Sequence, residues 1–230
     1  MYKSKNGVVV EFDRFDKSIR FFVDQPEESI QRHHFAGRFY EEEDLNTISK
    51  HMADPKCIID VGANVGNHTV FLGSRFPDAT IFPVELFPEV LSLLKLNLVL
   101  NPDIKIDGRG LGVGLSSTAK NCGISARFKE NRGLVKVDFE AENKDSRLVS
   151  GDELFGDIDP DFIKIDVEGH EIEVLKGLEV LIKRSRPAIF IEVDDKNAAQ
   201  FHDWRQNHEY KIVETIRRYE VNENFFLLPE

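Results

Sequence analysis

Cys57-Ile58-Ile59-Asp60-Val61-Gly62-Ala63-Asn64-Val65-Gly66-Asn67 is the stretch whose reading decides the fold. Its first half is a short apolar run of strand composition and its second half a glycine-rich turn. Val70-Phe71-Leu72 just beyond place the start of a helix at that turn. Gly62 and Gly66 let the backbone turn tightly and let a ligand lie against main-chain N–H groups, and the first turn of the helix adds unpaired donors. That shape suits a nucleotide, although an ordinary strand-to-helix connection reads the same way in isolation. The next apolar run, residues 79–84, also has strand composition and ends in Glu85, nineteen residues after Gly66. An acid at that spacing, on the tip of a second strand, is where a Rossmann-like sheet keeps the carboxylate that accepts both ribose hydroxyls. A solvated strand end is the plain alternative. Turn and acid together point to a nucleoside site.

The 230 residues fit one large domain with a full core, and 41% apolar against 31% charged residues is the balance of a soluble globular chain. The net charge of −11 repels phosphate backbones and anionic membrane surfaces. No basic stripe interleaved with aromatics offsets it, so neither nucleic acid nor membrane is an expected partner. Cys57 and Cys122 are too few for a disulfide framework and fit a reducing compartment, Cys57 as a small apolar residue inside a buried strand. No apolar stretch has the length of a signal-peptide core or a membrane span, so a soluble, cytoplasmic protein is expected.

Residues 8–12 and 18–23 flank a polar turn and read as a hairpin. Residues 25–37 have no strong period and read as a loop and possible lid, with His33 and His34 on the surface. Residues 37–45 lead into a helix that runs to about Met52, the acidic residues near its start suiting the dipole. Pro88 opens a second helix expected to bury Leu91, Leu94 and Leu98. Residues 104–106 form a short strand. The glycines from Gly108 to Gly114 fit either a ligand-approaching backbone or a mobile turn. Residues 124–128 and 134–139, separated by Asn131-Arg132-Gly133, read as another hairpin, a candidate wall on the substrate side. A strand over 161–166 leads into Asp166-Val167-Glu168-Gly169-His170-Glu171, where four ionisable side chains crowd the edge at which open α/β sheets keep their sites. One helix is expected over 170–184, burying Ile172, Leu175, Leu178 and Leu181. Strands over 188–195, 210–216 and 225–228, with a helix over 198–207, complete a mostly parallel sheet with an antiparallel edge.

Asp60-Val61-Gly62-Ala63-Asn64-Val65-Gly66, Glu85, and Ile163-Lys164-Ile165-Asp166-Val167-Glu168-Gly169-His170-Glu171 followed by Val174-Leu175-Lys176-Gly177 resemble the FkbM family of S-adenosylmethionine-dependent methyltransferases. The resemblance spans roughly residues 37–195. It implies an α/β class I methyltransferase fold, Rossmann-like, with a seven-stranded mostly parallel sheet, helices on both faces and an antiparallel last strand. The whole chain, 1–230, is then one methyltransferase domain, with an N-terminal hairpin and helix in 1–55 and the cofactor-binding and catalytic core in 56–230. The resemblance further implies that Asp60, Gly62, Asn64, Gly66, Asn67 and Thr69 form the cofactor turn, that Glu85 and Leu86 take the adenosine, and that Asp166, Glu168 and His170 face the methyl group and its acceptor. The family often reads Phe-Glu-Pro around the ribose acid. Here the sequence is Pro83-Val84-Glu85-Leu86-Phe87-Pro88, which implies a differently shaped adenine wall.

Methyl transfer from a sulfonium is an in-line displacement, so holding the acceptor close and collinear supplies much of the rate. A hydroxyl acceptor also needs a base, and His170, Asp166 and Glu168 are the candidates. Asp166 and Glu192, on neighbouring strand ends, could hold a divalent cation such as magnesium, or form an ordinary sheet rim. The expected reaction is O-methylation of a sugar or glycosylated small molecule. Transfer to a nitrogen or carboxylate of a peptide or amino acid, an NAD-dependent oxidoreductase, and a non-catalytic cofactor-binding module are the alternatives. The sequence does not specify an oligomeric state.

Overall fold

The computed structural model describes residues 6–126 and 135–230. The chain begins with the expected hairpin, β1 (Val8–Arg14) and β2 (Lys17–Val23), closed by Phe15 and Asp16, both left-handed at φ 55°. Two helices follow, α1 (Ser29–Phe35) and α2 (Glu42–His51). The central sheet then opens with β3 (Cys57–Val61), α3 (Asn67–Arg75), β4 (Thr80–Val84), α4 (Pro88–Leu100) and β5 (Lys105–Ile106). An excursion contributes β6 (Val113–Leu115), β7 (Lys120–Ala126), β8 (Val135–Asp138) and β9 (Ser146–Val149). After the short α5 (Gly151–Leu154) come β10 (Phe162–Ile165), α6 (Glu171–Gly177), α7 (Glu179–Ser185), β11 (Ala188–Asp194), α8 (Ala198–Asn207), β12 (Tyr210–Ile216) and β13 (Asn222–Pro229).

The main sheet has seven strands in the order β12-β13-β11-β10-β3-β4-β5. Pairing is parallel from β5 through β11, and β13 is antiparallel to both its neighbours. All four residues of β10 are buried, as are the last four of β3 and of β4, which is why these strands read as mostly apolar runs, interrupted by Asp60 in β3 and Lys164 in β10. One face carries the hairpin, α2 and α3 through Phe21, Phe39, Leu45 and Phe71. The other packs α6, α7 and α8 through Leu175, Leu178, Leu181 and Phe201, each such buried side chain worth about 1.5–3 kcal/mol.

Register places the site. Ile165 lies beside both Val61 and Ile191, and Val61 lies beside Val84. Four parallel strands are therefore level at Ile191, Ile165, Val61 and Val84, and the next residues, Glu192, Asp166, Gly62 and Glu85, stand in one row across the sheet, with β11 continuing to Asp194.

Several expectations are corrected. Residues 25–37 contain a helix, α1, because the Glu28 side chain caps it by accepting from Ile30 N and Gln31 N at 3.1 and 3.0 Å. His34 is fully buried, stacked on Phe21 with ring centroids 3.7 Å apart. The buried face of α4 is Val90, Leu93, Leu94 and Asn97, while Leu91 and Leu98 are half-buried. The shift arises because α4 faces the N-terminal hairpin: Asn97 Oδ1 accepts from Phe22 N at 2.8 Å, and Asn97 Nδ2 donates to Val65 O at 2.7 Å. The helix expected over 170–184 breaks at Leu178, yet all four predicted apolar residues are buried. Cys57, at the open end of β3, is half-buried. The glycines from Gly108 are held against β4: Gly112 N donates to Glu85 O at 2.8 Å, and a Cβ on Gly110 would meet Pro83 O at 2.6 Å. The hairpin over 124–139 is present as antiparallel β7 and β8, within a four-stranded sheet of order β6-β9-β7-β8. Its turn at Asn131-Arg132-Gly133 lies outside the described residues.

Candidate active site

The row of strand ends opens into a cavity of about 820 Å³. At one end lies the glycine turn. Gly62 N and Ala63 N both donate to Val84 O at 3.0 Å, and Gly66 N closes the turn onto Ala63 O at 2.9 Å. Gly62, Asn64 and Gly66 are left-handed, at φ 77°, 51° and 93°. Gly62 is required by a close approach as well, since a Cβ there would stand 1.8 Å from the Asp166 carbonyl oxygen. Glu85 ties this turn to the second strand: its carboxylate accepts from Asn64 N at 2.8 Å and from Phe87 N at 2.7 Å. Each oxygen keeps a further lone pair, and Glu85 lines the cavity beside Leu86. Burial raises the pKa of Glu85, opposed by the backbone N–H groups of Phe87, Asn64 and Leu86.

Of the residues assigned to the cofactor, Gly62, Asn64, Asn67, Glu85 and Leu86 line the cavity. Asp60, Gly66 and Thr69 lie beneath it. Thr69 Oγ1 donates to the fully buried Asp60 at 2.5 Å, and Gly66 abuts Leu94, so these three shape the turn. Asn67 also clasps the N-terminal segment. Its Oδ1 accepts from Tyr40 N at 2.9 Å and meets His34 Nε2 at 3.0 Å, while its Nδ2 donates to Tyr40 O at 2.9 Å.

The other end is acidic. Asp166, Glu168 and Glu192 offer carboxylate oxygens that all lie within 4.8 Å of one another, the spacing of a set able to hold a divalent ion. Glu41, left-handed at φ 55°, joins them from ahead of α2. Beneath them stands Lys164, with 2% of its surface exposed. Its Nζ donates to Gly62 O at 2.9 Å and lies 3.4 Å from Asp166 Oδ2 and 3.5 Å from Asp60 Oδ1. Burial works against the Lys164 charge, but Asp166, Asp60 and Glu41 outweigh it and hold the ammonium above its ordinary pKa. Arg218, from the turn between β12 and β13, pairs with Glu41 at 3.0 Å and with buried Asp44 at 3.1 Å. Burial, with Asp166 and Asp44, nonetheless raises Glu41 to about 7. From the same turn, the Tyr219 hydroxyl meets that of Tyr40 at 2.6 Å, joining two segments that line the cavity.

His170 sits at the side of the cavity, just ahead of α6. Its Nε2 is 3.2 Å from Ser116 Oγ, its ring faces Phe139, and burial lowers its pKa. It lies toward the excursion sheet, where Val113, Leu115, Ile124 and Leu148 give the cavity an apolar wall. Sequence reasoning missed Lys164, Glu41, Tyr40, Arg218 and Tyr219. A lysine inside an aliphatic strand was the available signal for the first. The others depend on contacts between distant segments.

A family model described as the methyltransferase FkbM domain matches residues 60–212. Among curated proteins, a hexuronic acid methyltransferase, AglP, of Haloferax volcanii is 30% identical over 162 residues, covering 69% of this chain and 64% of that protein. The methyltransferase sdnD of Sordaria araneosa is 31% identical over 159 residues, 53% of this chain and 60% of that one. The chain thus spans about six-tenths of the length of these relatives. Among solved structures, the methyltransferase FkbM of Methylobacillus flagellatus superposes with a TM-score of 0.54 at 17% identity, over 81% of this chain and 48% of that one. A precorrin-6y C5,15-methyltransferase of Geobacter metallireducens gives 0.50 at 13% identity, over 81% and 85%. These two share the Rossmann-like fold of the sheet described above. With the matched segment running from Asp60 beneath the glycine turn to Ile212 in β12, the chain belongs to the FkbM family of methyltransferases.

Proposed function

We propose that the protein uses S-adenosylmethionine to methylate a hydroxyl of a sugar or glycosylated small molecule. The carrying observation is one cavity with a ribose-type acid and glycine turn at one end and a carboxylate cluster at the other. Its volume suits a cofactor together with a small acceptor. Family membership implies S-adenosylmethionine, and the hexuronic acid specificity in the name of AglP supports a sugar acceptor.

In this reading Glu85 accepts the ribose hydroxyls, Leu86 lies against the adenine, and Gly62, Asn64 and Asn67 present the turn to the methionine portion. When bound, the cofactor supplies an electrophilic methyl group on a cationic sulfur. Asp166, Glu168 and His170 face the acceptor, orient its hydroxyl and provide proton acceptors. The apolar wall from β6, β7 and β9 excludes water from the reacting atoms. Magnesium is not part of the reading, because the Lys164 ammonium already stands 3.4 Å from Asp166 and supplies positive charge beneath the cluster.

The test is incubation with S-adenosylmethionine and parallel panels of glucuronic-acid glycosides, neutral sugars and amino acids, with products identified by mass spectrometry. Sugar methyl ethers formed equally with and without a chelator are expected. Methylation confined to amino acids, or binding of NAD in place of S-adenosylmethionine, overturns the proposal.

A further inference from the structure

Strand β11 runs two residues past Glu192, and the pleat sends Asp194 to the same face. Ile191 and Val193 are buried in the core, while Glu192 and Asp194 line the cavity. Two residues of strand carry Asp194 roughly 6–7 Å beyond Glu192. There the charge changes sign. Lys196, in the turn after β11, brings its ammonium to 3.1 Å from Asp194 Oδ2, and Lys136 of β8 brings a second to 3.5 Å from the same oxygen. Two ammonium groups thus share one carboxylate, leaving one positive charge in excess on this part of the cavity wall. Both lysines line the cavity, and their side chains are 27% and 55% exposed for Lys136 and Lys196. Each ammonium has three donors, so donors remain for a ligand after Asp194 is served.

The backbone holds this group in place. Asp194 N donates to Glu171 Oε1 at 2.8 Å, and Asn197 Nδ2 donates to the same oxygen at 2.9 Å and to Gly169 O at 3.2 Å. Glu171 is fully buried, so these bonds clamp the end of β11 to the turn after β10. Gly169 in that turn is left-handed at φ 89°, and a Cβ there would stand 2.5 Å from Lys196 Nζ. Its missing side chain gives the ammonium its position against the turn that carries Asp166 and Glu168.

We propose that Lys136 and Lys196 form a carboxylate-binding subsite, and that the acceptor is an acidic sugar whose carboxylate they hold while a hydroxyl of the same ring lies at Asp166 and Glu168. The proposal rests on the sugar-methylating reading above, and adds to it the charge of the acceptor and the residues that select it. One excess positive charge matches a carboxylate, whereas a phosphate dianion would meet Asp194 with charge left unmatched. The offset along β11 is about the width of one pyranose ring, so the carboxylate fixes which hydroxyl reaches the acidic cluster. At a net charge of −11 the chain as a whole offers an anionic sugar no attraction, and discrimination falls to these two lysines.

Binding tests this without turnover. The whole protein, saturated with S-adenosylhomocysteine, is titrated calorimetrically with p-nitrophenyl β-D-glucuronide and, separately, with the neutral p-nitrophenyl β-D-glucoside. The glucuronide is expected to bind about 10-fold tighter or more. The double variant Lys136→Met/Lys196→Met should lose that preference with S-adenosylhomocysteine affinity unchanged, and Lys196→Arg should keep it. Should the double variant fail to bind S-adenosylhomocysteine, Lys136→Gln and Lys196→Gln singly carry the same comparison, each expected to reduce the preference. A glucuronide that binds no tighter than the glucoside, or a preference that persists when the lysines are replaced, overturns the subsite and leaves the sugar reading standing. If S-adenosylhomocysteine binds but neither glycoside does, the subsite and the sugar acceptor fall together.

Discussion

The turn after β3 and the turn after β10 stand side by side on strands that end level, and each contains a non-glycine residue in the left-handed region, Asn64 in one and Glu168 in the other. They spend that shared backbone device differently. In the first turn, N–H groups find Val84 O, Ala63 O and the Glu85 carboxylate, so the turn is internally satisfied and presents a fixed surface. The second presents carboxylates, crowded within 4.8 Å together with Glu192. A satisfied turn is suited to binding, and a crowded acidic one to moving protons. The two communicate through Lys164, whose ammonium holds the carbonyl of Gly62 and lies against Asp166.

Substitutions that touch one turn should separate binding from turnover, and those at the seam should not. The largest effect is expected at the acidic end: once a sugar acceptor is identified, Glu168→Gln should lower kcat by about 10²–10⁴-fold. Steady-state kinetics paired with S-adenosylhomocysteine titration should show cofactor affinity nearly unchanged. Next comes the seam. Lys164→Met leaves Asp60, fully buried, beside no cation, at a cost of about 3–5 kcal/mol and a drop in Tm of roughly 10 °C. Thermal unfolding checks this, and an unchanged Tm would mean the lysine is not the tie between the turns. Gly62→Ala should cost about 2–3 kcal/mol and reduce cofactor affinity and turnover together, since its Cβ meets the Asp166 carbonyl and φ is 77°. Smallest is Glu85→Ala, expected to weaken S-adenosylmethionine and S-adenosylhomocysteine alike by roughly 10–100-fold in calorimetry. A selective loss of one ligand there would blur the division between the two ends.

What the sequence made legible follows the same division. The glycine turn is local: strand, Gly62, Gly66 and the acid at Glu85 lie within one stretch, so their relation is set by spacing along the chain. The strands β10 and β11 were equally plain, being mostly apolar and buried on both faces over Phe162–Ile165 and Ala188–Ile191. Lys164 was hidden because its meaning depends on register, which sets it beside Asp60 of another strand. Glu41 and Arg218 are far apart in sequence and meet only when the turn between β12 and β13 folds over the segment before α2. His34 looked like a surface residue because α1 is short and its period weak, whereas its burial comes from stacking on Phe21 of the hairpin. The break at Leu178 left no pattern to find, since the same four apolar positions are buried on either side of it.

The common register of β4, β3, β10 and β11 has a consequence for how such a chain tolerates changes in length. Glu85, Gly62 and Asp166 are each the first residue after a strand, Glu192 lies level with them inside β11, and the strands are joined by segments that cross the faces of the sheet and return. Extra residues inserted in the middle of a crossover, such as the excursion between β5 and β10, leave every strand's last residue where it was. A single residue added or lost within a strand would instead turn its terminal side chain to the opposite face. Large insertions between the strands are therefore compatible with an intact site, while the smallest ones within them are not.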